Sequence, residues 1–372
     1  MYQKLLGLNY IQGQTVNELV MDAMACIDEH APKLDSRNGG ARPIYNAEMV
    51  LIDPRERHLD LIGRTSNIFQ MIAETFWVCS GRGDVDGYLS YFLPRALDYS
   101  DDGKTWRGAY GPRIFEYGQL DGVVERFKKD GKFTRRAVVD IYQSEKDTPD
   151  SIRSEYGLED SKDIPCNDFI LFWIEDDNSF HMKTIQRSGD VIFGAGSINM
   201  FEFSFLQEMV FQKVKALYPE IHLGYYHHNT TNLHLYDFTA KQCGDVLDQR
   251  PQQVTQMDIT EPTIFSSSIQ RDCKFFKKLL KLFELQMGTG KKYENPILDI
   301  VALFNKYNIP IDNNQLWTYV TLVNAYIWAK ESPDTLPEIP YTFAERSSSV
   351  SLENAVKNSK FRKFPLNTET RF

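Results

Sequence analysis

Residues 165–218 constrain the fold of this chain more than any other stretch. Pro165-Cys166-Asn167 opens an unbroken apolar run, Phe169-Ile170-Leu171-Phe172-Trp173-Ile174. A second strand-like stretch, His181–Gln186, follows, and then a long apolar helix from Asn199 to Tyr218. A short run without polar alternation reads as a strand buried on both faces. Such a strand and an apolar helix must be covered by neighbouring elements. Cys166 lies at the mouth of the buried strand, and Gln186-Arg187-Ser188-Gly189-Asp190 follows the next one. A thiol becomes a nucleophile when a nearby cation favours the thiolate. An arginine and a serine hydroxyl can grip a phosphate beside it. The arrangement points to covalent attack on a phosphorylated small molecule.

The remaining pattern supplies the other elements. Val16, Leu19, Val20, Ala23, Met24 and Ile27 recur at helical spacing within Thr15–Leu34. Residues 35–42 read as a polar, glycine-rich loop, and Tyr45–Asp53 as a strand ended by Pro54. Asn67–Cys79 predicts a buried helix carrying one charge, Glu74; Leu120–Lys129 predicts a short helix and Ala137–Gln143 a strand. Residues 145–163 are highly charged and read as a surface excursion, and Gly224–Phe238 holds one or two strands. Three helical patterns follow, near Ser267–Met287, Asn295–Tyr307 and Asn313–Ala329. The expected organisation is a catalytic domain over 1–245, a helical extension over 246–332 and a tail over 333–372.

Composition narrows the function. The net charge of −9 argues against a general nucleic-acid-binding surface. Five cysteines, odd in number and without a CxxC pair, indicate neither a disulfide framework nor a zinc site. His222, His227, His228 and His234 cluster, but no acidic or thiol ligands accompany them at metal-site spacing. The first residues lack the apolar core of a signal peptide, and no apolar run is long enough to span a membrane. A soluble, cytoplasmic protein is expected.

Several short signatures occur in a fixed order. An arginine stands in the glycine-rich loop after the first helix, with Arg37 the first choice and Arg42 the alternative. Glu74-Thr75-Phe76-Trp77 lies in a helix ending at Gly81, followed by Gly108-Ala109-Tyr110-Gly111 and Arg135-Arg136. Pro165-Cys166, Gln186-Arg187-Ser188-Gly189-Asp190, the Asn199 helix and His234-Leu235-Tyr236 complete the series. From about residue 14 to 240 this order resembles the thymidylate synthase and pyrimidine-nucleotide hydroxymethylase family.

The resemblance implies an α+β fold, a mixed β-sheet packed by helices with an added C-terminal helical region, and one-carbon transfer from 5,10-methylenetetrahydrofolate to C5 of a pyrimidine deoxynucleotide monophosphate, in a homodimer with shared active sites. Cys166 would add to C6, because C5 becomes a carbon nucleophile only once the ring is an enolate. Glu74, Tyr110 and Asp190 would complete the catalytic set, Glu74 organising water and moving protons. Arg37, Arg187 and Ser188 would hold the phosphate, joined by Arg135 and Arg136 from the partner subunit. Gln186 would bind the substrate, and Asn199 would read the base, offering the donor and acceptor that suit uracil. His234 and Tyr236 would hold the sugar hydroxyl.

The chain also departs from the family pattern. Asn167 follows the cysteine where histidine is usual, and Gly194–Asn199 is one residue longer than the family's stretch. Arg95-Ala96-Leu97-Asp98-Tyr99 stands where a tryptophan pair is expected, and the polar Asn367–Phe372 end replaces an apolar closing tail. Weaker shielding favours water over hydride as the last nucleophile. The expected product is therefore 5-hydroxymethyl-dUMP. The alternatives are a thymidylate synthase proper and a catalytically altered nucleotide-binding scaffold.

Overall fold

The computed structural model describes residues 2–5, 7–36, 39–64, 66–250, 260–288, 296–331 and 349–359. Among them, nine strands form one mixed sheet. The strands are β1 (Tyr2–Leu5), β2 (Leu8–Gly13), β3 (Leu34–Ser36), β4 (Gly39–Leu51), β5 (Val138–Asp140), β6 (Asn167–Ile174), β7 (Ser179–Gln186), β8 (Gly189–Asp190) and β9 (His222–Tyr236). The main path runs β1-β2-β4-β9-β7-β6-β5, with β3 paired to β4 and β8 to β9. The β2–β4 and β7–β9 pairs are parallel, whereas β4–β9 and β6–β7 are antiparallel. This is the α+β architecture the sequence implies.

The helices of the first half are α1 (Val16–His30), α2 (Ile68–Cys79), α3 (Tyr88–Phe92), α4 (Tyr110–Phe115), α5 (Gln119–Asp130), α6 (Ser144–Asp147) and α7 (Pro149–Tyr156). Then come α8 (Asn199–Lys215), α9 (Ala240–Asp248), α10 (Ile269–Glu284), α11 (Pro296–Tyr307) and α12 (Gln315–Glu331). Helix α1 starts where Thr15 caps it, its side chain accepting from Glu18 N at 3.3 Å. Helix α2 starts at Asn67, which accepts from Gln70 N at 3.2 Å. It ends just before Gly81, whose φ of +68° a non-glycine residue adopts at a cost.

Helices α2 and α8 carry the centre of the core. Phe76 on α2 is fully buried, with Phe276 of α10 at 5.3 Å and Phe205 of α8 at 6.3 Å between ring centroids. Truncating a buried ring of this kind costs about 3–5 kcal/mol. Phe69 stacks on Tyr326 of α12 at 5.0 Å. Phe304 of α11 meets Phe275 of α10 at 5.1 Å and Trp317 of α12 at 5.2 Å, both edge-on. The late helices thus back α2 and α8.

Two local readings change. Residues 35–42 are not a loop throughout: Leu34–Ser36 pairs antiparallel with Gly39–Ala41, so β4 starts six residues before Tyr45. Backbone pairing across the sheet outweighs the turn-forming composition there. The 145–163 excursion contains α6 and α7, and its Asp147 side chain is fully buried. That carboxylate accepts from Arg113 Nη2 and Arg107 Nη1, both at 2.8 Å. Charge in this stretch therefore marks a buried ion cluster as well as exposed surface.

Candidate active site

One large cavity, about 890 Å³, opens beside the mouth of β6. Its wall includes Cys166, Glu74, Tyr110, Asp190, Gln186, Arg187, Ser188, Asn199, His234 and Tyr236. Ten of the thirteen sequence-predicted site residues thus converge, although 162 positions separate Glu74 from Tyr236. Arg135 and Arg136 do not line it; both are exposed, and Arg136 Nε donates to Asp130 at 2.9 Å. Arg37 lies outside the described residues. Arg42, the alternative, donates to Asp28 at 2.7 Å and does not line the cavity.

Cys166 is half-buried and forms no disulfide among the described residues. The strands on either side hold its segment, since Arg187 N donates to Cys166 O at 2.9 Å. The Arg187 guanidinium braces the same stretch, donating to Pro165 O and Ile164 O at 2.9 Å each. Its Nη2 lies 3.7 Å from Cys166 Sγ. Behind the thiol, the fully buried Asn167 donates to Tyr110 OH at 2.8 Å. Burial, then the neighbouring Cys166 and Glu202, push the Tyr110 phenol up. From the excursion, Asp163 accepts Gly108 N–H at 2.8 Å and fixes the start of the Tyr110 motif.

Asn199 is oriented by a chain of buried hydrogen bonds. Gln186 Oε1 accepts from Thr230 Oγ1 at 3.1 Å and from His228 Nε2 at 3.0 Å. Burial lowers the His228 pKa to about 4, so the ring is neutral, and the proton sits on Nε2 because an amide oxygen cannot donate. His228 Nδ1 is then the acceptor, with Thr184 Oγ1 at 2.7 Å and Tyr226 OH at 2.8 Å; one hydroxyl donates to it and the other to its neighbouring hydroxyl, 2.8 Å away. Gln186 Nε2 is left to donate to Asn199 Oδ1 at 3.2 Å. His227, one residue earlier on β9, points to the other sheet face and pairs with Glu48 at 3.1 Å.

The extra residue before Asn199 is absorbed locally. Gly194–Ile198 forms a π-helical turn, with Asn199 N–H donating to Gly194 O, that runs directly into α8. A single π turn takes up one added residue without turning the following helix away. It also needs Gly196, where a Cβ would lie 1.9 Å from Val191 O.

Asp190 holds the turn that follows β8 by accepting from Ile192 N at 2.7 Å and Phe193 N at 2.6 Å. Its other oxygen is buried without a hydrogen-bond partner, and burial raises its pKa. His234 Nδ1–H donates to Asn232 O at 3.3 Å, and its buried Nε2 has no hydrogen-bond partner. The Tyr236 ring meets it edge-on at 4.6 Å.

Two features of the wall escape a reading of the sequence alone. The first is aromatic. Trp106 lines the cavity beside Tyr99 at 6.4 Å and Trp77 at 5.7 Å, and its Nε1–H donates to Ala96 O at 2.6 Å. An indole from a different position thus covers the small Ala96, so the expected bare wall is not bare. The second is Glu202, one helical turn beyond Asn199 and 3% exposed. Burial pushes Glu74 up to about 7 against a hydrogen bond from Gln70. Burial and then the Glu74 carboxylate push Glu202 well above the carboxylate range. A carboxyl flanked by apolar residues, as at Glu74, is also present in Met200-Phe201-Glu202-Phe203, but α8 carries a second carboxyl, Glu208.

Residues 24–277 match the family model described as thymidylate synthase. The chain is 38% identical over 333 residues to the deoxyuridylate hydroxymethyltransferase of Delftia phage PhiW-14, covering 89% of this chain and 90% of that protein. It is 29% identical over 263 residues to the deoxyuridylate hydroxymethyltransferase of Pseudomonas phage M6, covering 68% and 69%. A third protein of that description, from Bacillus phage SP01, is 29% identical over 249 residues, covering 63% and 61%.

Proposed function

Because the chain belongs to the thymidylate synthase family, we propose that it transfers a one-carbon unit to C5 of dUMP and releases 5-hydroxymethyl-dUMP. The observation that carries this reading is the Cys166 thiol, with a guanidinium nitrogen 3.7 Å away, in one cavity with Asn199 and Glu74. A cation at that distance favours the thiolate. The thiolate adds to C6, the C5=C6 electron pair moves toward C4–O, and C5 becomes the nucleophile that takes up the carbon. Bound 5,10-methylenetetrahydrofolate would supply that carbon at the oxidation level of formaldehyde. The rings of Tyr99 and Trp106, exposed and half-buried on the cavity wall, suit its flat ring.

Tyr110 and Glu74 serve the proton transfers at C5 and O4, and Asp190 holds the turn between the phosphate-binding and base-binding residues. Arg187 and Ser188 bind the phosphate, together with Arg37, while His234 Nε2 and Tyr236 bind the sugar hydroxyl. Asn199 binds the uracil edge, held in register by Gln186. Arg135 and Arg136, exposed here, serve a second subunit's phosphate in a homodimer. Phe169 and Tyr225, 41% and 46% exposed on the sheet, supply apolar surface for that contact. No described helix is long and apolar enough to cross a membrane.

Trp106 favours one second reading. An aromatic wall excludes water, and a shielded intermediate would take hydride and give thymidylate. Incubation with dUMP and methylenetetrahydrofolate separates the two. The expected result is a nucleotide 30 mass units heavier than dUMP, with no near-ultraviolet rise from dihydrofolate. A stoichiometric rise with thymidylate as the sole product refutes the hydroxymethyl assignment.

A further inference from the structure

The cavity wall holds a second buried carboxyl for which the proposed chemistry has so far named no use. Glu202 projects from α8 one turn beyond Asn199, so both share a helix face toward the cavity. Glu74 reaches the same cavity from α2, which packs against α8. The Glu202 side chain is 97% buried by its 3% exposure, and its Oε1 has no hydrogen-bond partner. Glu74 Oε2 is buried and unpartnered as well. Buried carboxyl oxygens without partners are costly, and here both belong to side chains lining the space where a small molecule would enter.

Resting on the reading above, we propose that Glu202 is a further catalytic residue, pairing with Glu74 to bind and deprotonate the water that captures the exocyclic methylene. Two adjacent buried carboxyls do not both ionise near neutral pH. Glu74 ionises first, and Glu202 keeps its proton because the Glu74 charge and its burial oppose a second anion. The other titratable groups that sense Glu202 are Cys79 of α2, Tyr110 of α4 and Tyr226 of β9. All three are pushed up, chiefly by burial, and are therefore neutral. The pair thus presents one acceptor and one donor to a single water.

The water oxygen bonds to the exocyclic carbon, and one water proton passes to the Glu74 carboxylate. The C5=CH2 electron pair moves to the C4 oxygen. That enolate re-forms C4=O, C5=C6 closes, and the C6–S bond breaks with its electron pair returning to Cys166 as thiolate. Glu202 keeps its proton throughout and donates it in a hydrogen bond to the attacking water. Glu74 later gives its proton to solvent. No oxidant or reductant is consumed.

The test compares wild type, Glu202→Gln and Glu202→Asp in two assays. The first is formation of the covalent complex on Cys166 with 5-fluoro-dUMP and methylenetetrahydrofolate, which precedes water capture. The second is turnover of dUMP, with added thiol to trap accumulated exocyclic methylene as a thioether. For Glu202→Gln, the expected result is an unchanged covalent complex and product formation slowed by roughly 100-fold or more. Thioether should appear, and Glu202→Asp should recover part of the rate. Turnover of Glu202→Gln within threefold of wild type overturns the assignment. So does loss of the covalent complex in both variants, which would place Glu202 in binding or folding. A wild-type protein that forms no covalent complex refutes the proposed function itself, and the Glu202 role with it.

Discussion

Replacing Asp147 by asparagine tests how the charged excursion supports the cavity. The Asp147 side chain is fully buried and touches two guanidiniums. Its Oδ1 accepts from Arg107 Nη1 and Arg113 Nη2 at 2.8 Å each, and its Oδ2 from Gln143 N at 2.9 Å. Arg113 is itself 2% exposed, so an uncharged partner leaves a buried cation short of its counter-ion. Breaking a buried pair from one side costs about 3–5 kcal/mol. The lower end applies, because the amide oxygen still accepts and Ile141 O takes an Arg113 hydrogen bond at 2.7 Å. At about 2 °C per kcal/mol for a large chain, the melting temperature should fall by about 6 °C.

The pH dependence follows from the same contacts. Burial opposes ionisation of Asp147, but the Arg113 and Gln143 hydrogen bonds outweigh it and leave its pKa lowered. A depressed folded pKa contributes stability above the unfolded value, about 3.9, that is lost as pH falls through the folded one. The gap between wild type and variant should therefore hold from pH 7 to about 5 and shrink below about 4. Arg107 also donates to Asp163 O at 2.8 Å, three residues before Cys166. Covalent complex formation with 5-fluoro-dUMP should slow as well, by up to about 100-fold. The assays are thermal and urea denaturation across pH, with Asp150→Asn as control, since that side chain is 93% exposed. A loss below about 1 kcal/mol, or a gap that widens in acid, would refute the reasoning.

Two further outcomes follow from the assigned site. Asn199→Asp should shift preference from dUMP toward dCMP by about 1–3 kcal/mol, since a protonated carboxyl can serve the cytosine edge; competition between the two nucleotides measures it, and unchanged discrimination removes Asn199 from base recognition. Mixing Cys166→Ser subunits with Arg136→Ala subunits should restore some of the activity that each lacks alone, because one site in the heterodimer keeps both groups; absence of complementation, or a monomer by light scattering, counts against shared sites.

Sequence alone determined the local chemistry and the strands and helices that carry it. Pro165-Cys166, Gln186–Asp190 and His234–Tyr236 are short strings next to strongly apolar elements, and hydrophobic pattern fixes such elements from within. A single charge in an apolar helix identifies Glu74 for the same reason, because burial of a carboxyl needs a use. Tertiary structure decided what depends on residues far apart in the chain. Glu202 shares a cavity wall with Glu74 only because α8 packs on α2, and Trp106 reaches Ala96 only because the intervening turn folds back. The one-residue excess before Asn199 looks disruptive as a spacing, yet a π turn confines it to five residues. Asp147 reads as surface because charge in sequence does not reveal which carboxylate will meet two buried arginines. Such pairings are set by the packing of whole elements, so no window of neighbouring residues contains them.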